Sequence, residues 1–520
     1  MTSRRSFLHL MSATAMGMVL GLPLPLRAAE QSLDFDPEGY EVLTEVIETA
    51  AGAVAVTYRF WRAVPYVARP VDLAHQSMNI SVPVEIDGVA VDASAAPILL
   101  ANSVGGYMPS SVVEAKGVGD TMPMRPPAEM APPEGMAPEG TAPEGMAEAP
   151  SGSAAMMAGG KRVSNAKLAL AAGLVVVEPG ARGRTLVDAA GVHYGTAPAA
   201  IVDLKAAVRY LRRNRGVIPG DVARIVSSGT SAGGALSALL AASGDSPDYA
   251  PLLAEIGAAE ESDAILAAGC WCPITDLEHA DMAYEWNWGT NPTAQGVVDA
   301  ALAAELAAAF ALYQAGLGLT TPSGAALTVD SYPEHLLSHY LRPEATAYLA
   351  AMTEADRAAY LATHPEIGFD GSHAVFDWTG FLAHVGPRKK GLPAFDAFDL
   401  STGENNLFGA EAVKARHFTE WALRRATGDA AAVLEADIPA KLRLMNPMAY
   451  LAEAHPGRAR HWWLRVGAKD SDTSLSVVGN LEARLRGLGD AVDTRIYWDE
   501  GHGANTDAAA FIDWIKALPA

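Results

Sequence analysis

Serine, aspartate and histidine residues of this chain have the types and the order that nucleophilic catalysis requires. Ser231 is the centre of a Gly-x-Ser-x-Gly pentapeptide at residues 229–233. Asp470 and Asp472 lie two residues apart, and His502 stands between two glycines near the end of the chain. A histidine can take the proton of a serine hydroxyl while a carboxylate holds the imidazole in the correct tautomer. These residues therefore indicate acyl transfer through a covalent intermediate.

The segments on either side of Ser231 predict how its side chain is presented. Residues 223–228 form a short run with a β-branched apolar centre, which predicts a buried strand. Residues 234–242 are rich in Ala and Leu and predict a helix. A sharp turn between strand and helix exposes the serine, and the N–H of Ala232 can then receive an oxyanion. An ordinary glycine-rich turn is the alternative interpretation.

The other parts of the expected site follow predicted strands. Gly105 and Gly106 come after the predicted strand at residues 97–102, where a second oxyanion donor is expected. Either Asp470 or Asp472 could orient His502, and either could cap the helix predicted to start near Thr473. We assign Asp470 to the triad and reserve Asp472 for the substrate or the cap.

The wider pattern alternates strands with helices. Residues 41–85 predict antiparallel strands, including 54–61 and 78–84. Further strands are predicted at 97–102, 174–180, 264–270, 461–467 and 492–498, and helices at 198–213 and 474–487. This alternation indicates an α/β fold with a mostly parallel central sheet. Residues 273–460 interrupt the alternation and are too long for a loop, so they predict a lid domain inserted after the sixth strand. The core then comprises residues 30–272 and 461–520.

The composition of the chain limits the classes of partner. The 520 residues are 50% hydrophobic and carry a net charge of −22, which argues against nucleic acid and anionic membranes as partners.

No His-Glu-x-x-His spacing occurs, and we expect no metal or cofactor in the reaction. We interpret Cys270 and Cys272 as buried thiols, with a strained bridge or a metal pair as the alternative.

Two segments are expected to lie outside the folded core. Residues 1–29 contain Arg4 and Arg5, then a mostly apolar run and small residues, which predicts a twin-arginine signal peptide and a periplasmic or secreted protein. Residues 115–162 contain a Met-, Pro- and Gly-rich repeat that predicts a disordered insertion. Its methionines leave Cu(I) binding as an alternative.

Several motifs together resemble the bacterial tannases, α/β-hydrolases related to feruloyl esterases. The resemblance runs from about residue 70 to the end, outside the insertion. Its carriers are NSVGGY at residues 102–107, the pentapeptide at 229–233, PITDL at 273–277, YEW at 284–286, PAFD at 393–396, TGEN at 402–405, DSDTS at 470–474 and GHG at 501–503.

This resemblance implies roles for individual residues. It implies a triad of Ser231, Asp470 and His502, and a pocket in which Lys390, Glu404 and Asp472 bind the three phenolic hydroxyls of a galloyl group. Lys389 is adjacent, so the lysine could be either residue. Carboxylates accept hydrogen bonds from phenols, which fits this implication. The long insertion after Tyr107 departs from the family pattern.

We therefore expect a serine esterase that hydrolyses galloyl esters through an acyl-enzyme, with a small phenolic ester as its partner. A feruloyl or general aryl-ester hydrolase is the nearest alternative, because it would share the triad and differ in the pocket. A non-catalytic binding protein with the same fold is a second alternative. Intact Ser231, Asp470 and His502 argue against it.

Overall fold

A central ten-stranded sheet organises the chain. The computed structural model describes residues 30–120, 122–123, 155–158, 161–452 and 455–519. The strands are β1 (Glu41–Thr49), β2 (Gly52–Pro65), β3 (Ser77–Ile86), β4 (Val89–Ala90), β5 (Pro97–Ala101), β6 (Val175–Pro179), β7 (Asp221–Thr230), β8 (Ala267–Trp271), β9 (His461–Gly467) and β10 (Ala491–Tyr497). Their order is β1-β2-β3-β6-β5-β7-β8-β9-β10, with β4 paired to β3.

The sheet is antiparallel at one edge and parallel through the rest. Strands β1 to β3 pair antiparallel, and β6 pairs antiparallel with β3. From β6 to β10 every neighbouring pair is parallel. Strands β5, β6 and β8 are buried along their whole length, as expected where helices cover both faces. This arrangement confirms the predicted α/β-hydrolase fold with a mostly parallel sheet.

Helices fill the connections. They are α1 (Asn165–Ala171), α2 (Ala199–Arg213), α3 (Ala232–Ala242), α4 (Ala250–Glu255), α5 (Ala280–Trp288), α6 (Ala300–Gly316), α7 (Tyr332–Leu336), α8 (Arg342–Ala350), α9 (Glu354–Thr363), α10 (Trp378–Val385), α11 (Gly403–Leu407), α12 (Glu420–Thr427), α13 (Ile438–Met445), α14 (Pro447–Tyr450), α15 (Leu475–Gly487) and α16 (Ala508–Ala517). None of the helices within the described ranges is both long enough and apolar enough to cross a membrane.

The stretch predicted as a lid carries helices α5 to α14 and a small hairpin of Gly368–Phe369 and Ala374–Val375. Its buried side chains, among them Trp288 and Phe381, belong to the same hydrophobic core as Trp462 of β9. The segment therefore packs directly on the sheet. The division into a core and a lid domain stays a prediction.

The predicted strands correspond to strands of the sheet, with two additions. Strand β1 comes before the first predicted strand, and β4 lies between the second and third. The strand predicted as the sixth, at residues 264–270, is therefore β8 in chain order. The predicted insertion starts later than residue 115, because Ala115 and Val118 are buried. The predicted signal peptide at 1–29 and most of the repeat segment, residues 124–154, lie outside the described residues.

Candidate active site

Ser231 occupies a strained turn between β7 and α3. Its backbone has φ 59° and ψ −122°, and its N–H donates to the carbonyl oxygen of Trp271 at 2.9 Å. The flanking glycines allow this turn. A Cβ on Gly229 would lie 2.4 Å from the carbonyl oxygen of Gly233, and one on Gly233 would lie 2.6 Å from that of Val104. Such strain persists only where the surroundings fix it, and here it exposes a serine at a sheet edge.

The loop after β5 lies against this turn. Asn102 Nδ2 donates to the carbonyl oxygens of Ser228 and Gly233, both at 3.1 Å. Gly106 follows with φ 54°, a conformation that suits glycine. The first N–H groups of a helix, here including that of Ala232, have no partner inside the helix. The structure therefore brings the Gly105–Gly106 turn and the α3 N-terminus to one edge of the sheet.

Asp470 and His502 form a close pair. Nδ1 of His502 lies 2.9 Å from Oδ2 and 3.0 Å from Oδ1 of Asp470, which is fully buried after β9. Asp472 is further away, with Oδ2 at 3.7 Å from the same nitrogen. Neither aspartate caps α15, because Ser474 accepts the capping hydrogen bond from the N–H of Ser476. The helix-cap alternative for both aspartates is therefore wrong.

The other ring nitrogen of His502 faces a cysteine. Nε2 lies 3.7 Å from Sγ of Cys272, and within the described residues no hydrogen bond joins it to Ser231. The His502 loop nevertheless abuts the end of β7, since a Cβ on Gly503 would lie 3.4 Å from Cγ2 of Thr230. Cys270 and Cys272 are both buried free thiols, as interpreted from the sequence. The contact of Cys272 with His502 was not foreseen.

The charge of the pair favours a protonated histidine. Burial lowers the pKa of His502, but Cys272 and Asp470 raise it more, and the net pKa lies well above its usual value. A carboxylate with both oxygens on Nδ1 stabilises the imidazolium that forms when a histidine accepts a proton. The arrangement can therefore hold a proton taken from a nearby hydroxyl.

The two candidate lysines have different partners. Lys389 Nζ lies 2.9 Å from Oδ2 of Asp472, and its side chain is 66% exposed. Lys390 Nζ lies 3.5 Å from the ring centroid of Phe395. Burial raises the pKa of Asp472, while His502, Lys389 and Lys390 lower it, so the net pKa lies below its usual value. Both lysines thus act on Asp472, and only Lys389 bonds to it.

Glu404 lies near the loop that follows β5, within electrostatic range of Tyr107. It occupies the first turn of α11, which Thr402 caps. Burial first and then the charge of Glu404 raise the pKa of Tyr107. Burial lowers the pKa of Arg184, and the charge of Glu404 opposes this change. Nε of Arg184 donates to the carbonyl oxygen of Gly106 at 2.7 Å. Glu404 and Asp472 therefore reach the site from different sides, α11 and the loop after β9.

Helix α5 anchors two segments, the loop at residues 470–474, here called the acid loop, and residues 388–391, here called the lysine segment. The Tyr284 hydroxyl donates to the carbonyl oxygen of Ser471 at 2.6 Å and accepts from the N–H of Lys390 at 3.1 Å. Glu285 forms a buried ion pair with Arg388, with oxygen–nitrogen distances of 2.5 and 2.7 Å. In the sequence, residues 284–286 stand out only through the family resemblance. The polar side chains on this buried helix are the one feature that could have indicated their anchoring role.

Solved structures of tannases resemble this chain over nearly its whole length. The tannase of Fusobacterium nucleatum is 33% identical, with a TM-score of 0.76 over 94% of this chain and 100% of that one. The tannin acyl hydrolase of Lactobacillus plantarum is 33% identical, with a TM-score of 0.75 over 94% and 98%. A tannin acyl hydrolase in complex with ethyl gallate is 32% identical, with a TM-score of 0.72 over 94% and 98%. A family model described as BD-FAE matches residues 188–312. No curated protein sequence matches.

The sheet, the Ser231 turn and the relatives together define a carboxylic ester hydrolase of the α/β-hydrolase fold. Identity above 30% over nearly the whole length of solved tannases narrows this class further. The chain belongs to the tannase family.

Proposed function

We propose that this protein hydrolyses galloyl esters to gallic acid and an alcohol. The observation that carries the proposal is the buried Asp470 carboxylate on Nδ1 of His502, beside the strained turn that bears Ser231. A related tannin acyl hydrolase binds ethyl gallate, and another complex holds 3,4-dihydroxybenzoate. Both ligands are hydroxylated benzoyl compounds.

In the proposed reaction Ser231 Oγ attacks the ester carbonyl and passes its proton to His502 Nε2. The N–H groups of Ala232 and of Gly105 or Gly106 stabilise the oxyanion. His502 then protonates the departing alcohol, and a water molecule cleaves the acyl-enzyme by the same steps in reverse. Asp470 holds the histidine tautomer throughout. Ser231 and His502 must approach for the first step, because no hydrogen bond joins them within the described residues.

The proposed pocket selects ring hydroxyls through charge. Asp472 and Glu404 would accept hydrogen bonds from phenolic groups, and Lys390 would stabilise a polarised phenol. The two carboxylates approach from different elements, so they can contact separate hydroxyls of one ring. A site built to pair with hydroxyls discriminates against rings that lack them, because its own polar groups then go unpaired.

A substrate panel tests this function. Purified protein is assayed with methyl gallate, methyl protocatechuate and methyl ferulate, and kcat/KM is compared. We expect the gallate ester to be preferred and Ser231→Ala to lower kcat by roughly 10³-fold or more. A fluorophosphonate probe should label the parent protein and leave Ser231→Ala unlabelled. Hydrolysis by Ser231→Ala at the parent rate would refute the assigned nucleophile.

A feruloyl-ester hydrolase is the second candidate, favoured by the BD-FAE match over residues 188–312. This segment contains the Ser231 turn and ends before the lysines and Glu404. The match therefore covers the turn that bears Ser231 and leaves out Asp470, His502 and the proposed pocket residues. A kcat/KM for methyl ferulate at or above that for methyl gallate would select this candidate.

We also propose that the protein is exported as a folded chain through a twin-arginine signal at residues 1–29. The paired Arg4 and Arg5 before an apolar run support this proposal. Replacing both arginines by lysine should retain the precursor inside bacterial cells, as cell fractionation and the length of the mature chain would reveal. Unchanged export of that variant would exclude the twin-arginine route.

A further inference from the structure

Two histidines and a glutamate outside the proposed triad cluster at the C-terminal ends of α9 and α10. Glu366 Oε1 lies 3.3 Å from Nδ1 of His364 and 3.0 Å from Nδ1 of His384. The three donor atoms all lie within 4.8 Å of one another. Ligand atoms around a tetrahedral zinc, bonded at about 2.0–2.1 Å, stand about 3.3 Å apart. The spacings at Glu366 match that separation.

A carboxylate holds the ring nitrogen of His384 that does not face Glu366, as is common for histidine ligands of metals. Its Nε2 lies 2.8 Å from Oδ1 of Asp499, and this carboxylate is also held by Lys469 and the Tyr360 hydroxyl. In the neutral imidazole, an N–H donated to Asp499 leaves Nδ1 of His384 without a proton. That lone pair would then face the lone pairs of Glu366 at 3.0 Å, so a proton or a cation must lie between them. Histidine ligands of metals characteristically donate their second N–H to a carboxylate.

We propose that His364, Glu366 and His384 bind a zinc ion, with Asp499 orienting His384 from behind. Two imidazoles and one carboxylate suit zinc, and a water molecule would complete the four-coordinate shell. His384 is fully buried, whereas the side chains of His364 and Glu366 are 28% and 20% exposed. The ion can therefore reach the site from the surface.

The location gives the ion a mechanical role. His364 directly follows α9, His384 belongs to α10, and Asp499 lies three residues before His502. The ring of Trp498 stacks on His384, with centroids 4.7 Å apart and planes 9° from parallel. A bound zinc would fix the ring of His384, and with it the existing contact of His384 with Asp499 in the loop that carries His502. It takes no part in the ester chemistry.

Calorimetric titration of untagged protein with Zn²⁺ tests the proposal, in a Cys272→Ser background that removes the thiol of a second donor cluster, Cys272, Asp470 and His502. We expect one equivalent to bind, with release of a proton and a rise in Tm that grows with Zn²⁺ concentration. Glu366→Gln and His364→Gln should each weaken binding at least about tenfold. His373→Gln is the matched control, because His373 is 73% exposed in the turn of the hairpin between α9 and α10, and this variant should bind like the background.

Co²⁺ provides a test on the unmodified chain. Its visible spectrum should show bands of a nitrogen- and oxygen-ligated ion without a sulfur-to-cobalt charge-transfer band. A thiolate band alone would place the ion at Cys272 and overturn the proposal. So would the absence of Zn²⁺ binding, or equal binding by Glu366→Gln and the His373→Gln control. The readouts are binding and Tm, so they are independent of the galloyl esterase proposal.

Discussion

Nε2 of His502 lies 3.7 Å from Sγ of Cys272. This nitrogen is the one that would accept the proton of Ser231 in the proposed reaction. Cys272 directly follows β8, has φ 37° and is 1% exposed. The neighbouring strand β7 leads into Ser231, so the thiol and the serine approach the histidine from adjacent strand ends. Cys272 is therefore part of the environment that sets the basicity of His502.

The first prediction concerns the pH profile. His502 must be neutral to accept a proton, and its pKa lies above the ordinary value, so kcat/KM should rise with a midpoint above about pH 6.5. Cys272 raises this pKa, so Cys272→Ala should move the midpoint to lower pH. Cys270→Ala, which alters a buried thiol without contact to His502, should leave the midpoint unchanged. An unaltered midpoint in Cys272→Ala would contradict the prediction.

The second prediction separates the two aspartates. Asp470→Asn should lower kcat for every ester by on the order of 10³- to 10⁴-fold, because the amide cannot hold the required tautomer of His502. Asp472→Asn should instead weaken gallate esters more than ferulate esters, by about 1–3 kcal/mol in transition-state binding. Ratios of kcat/KM across the two esters measure the difference. If Asp472→Asn damages both esters equally, its assignment to the pocket fails.

The third prediction distinguishes the lysines. Lys389 is 66% exposed and its ion pair with Asp472 should contribute at most about 1 kcal/mol, so Lys389→Ala should change gallate kcat/KM less than about fivefold. Lys390→Ala should reduce the gallate-to-ferulate ratio tenfold or more, as should Glu404→Gln, since each removes a charged partner of a ring hydroxyl. The opposite order of the two lysine variants would assign the pocket lysine to Lys389.

The fourth prediction concerns Tyr284 as a positioning residue. Tyr284→Phe removes the hydroxyl that joins Ser471 and Lys390, and losing these two partly buried hydrogen bonds should cost about 1–3 kcal/mol in unfolding free energy. Because the acid loop and lysine segment loosen together, kcat/KM for gallate esters should fall as well. Tyr249→Phe is the matched control. It loses the hydrogen bond to the carbonyl oxygen of Leu444, which lies outside the proposed site, so it should lose stability and keep activity.

The fifth prediction concerns the repeat-rich segment. Replacing residues 124–154 by a short Gly-Ser linker should change Tm by less than about 2 °C, because such a composition offers little apolar surface to bury. Residues 115–120 must be retained, since Ala115 and Val118 are buried. Differential scanning calorimetry of the two chains measures the change. A large fall in Tm would show that the segment packs on the fold.

The strand ends were the most predictable feature, because parallel strands deliver their following residues to one edge. Ser231, Asp470 and His502 each follow such a strand, and sequence order alone placed them together. The contact of Cys272 with His502 could not be predicted, because a strand continued through Cys272 would put its side chain on the same face as that of Cys270. The strand in fact ends at Trp271, and the positive φ of Cys272 turns its side chain toward His502.

Side-chain partners within the lid were the least predictable feature. Its helices are mostly short, and long-range bonds fix them, such as that between Glu285 and Arg388, 103 residues apart. No local pattern distinguishes Lys389 from Lys390, because they are adjacent and identical in type. The cluster of His364, Glu366 and His384 has no fixed ligand spacing either, since helix α10 has to fold back to bring His384 to the other two.

Helix α5 joins the proposed substrate pocket to the loop of the proposed catalytic acid. Through Tyr284 it holds Ser471, which stands between Asp470 and Asp472, and it also holds Lys390. A change that moves this helix should therefore alter both the proposed pocket and the position of Asp470. Swapping the lid between relatives as a separate module would break this coupling. An exchange between relatives should therefore transfer three linked segments together, residues 280–288, 388–391 and 470–474.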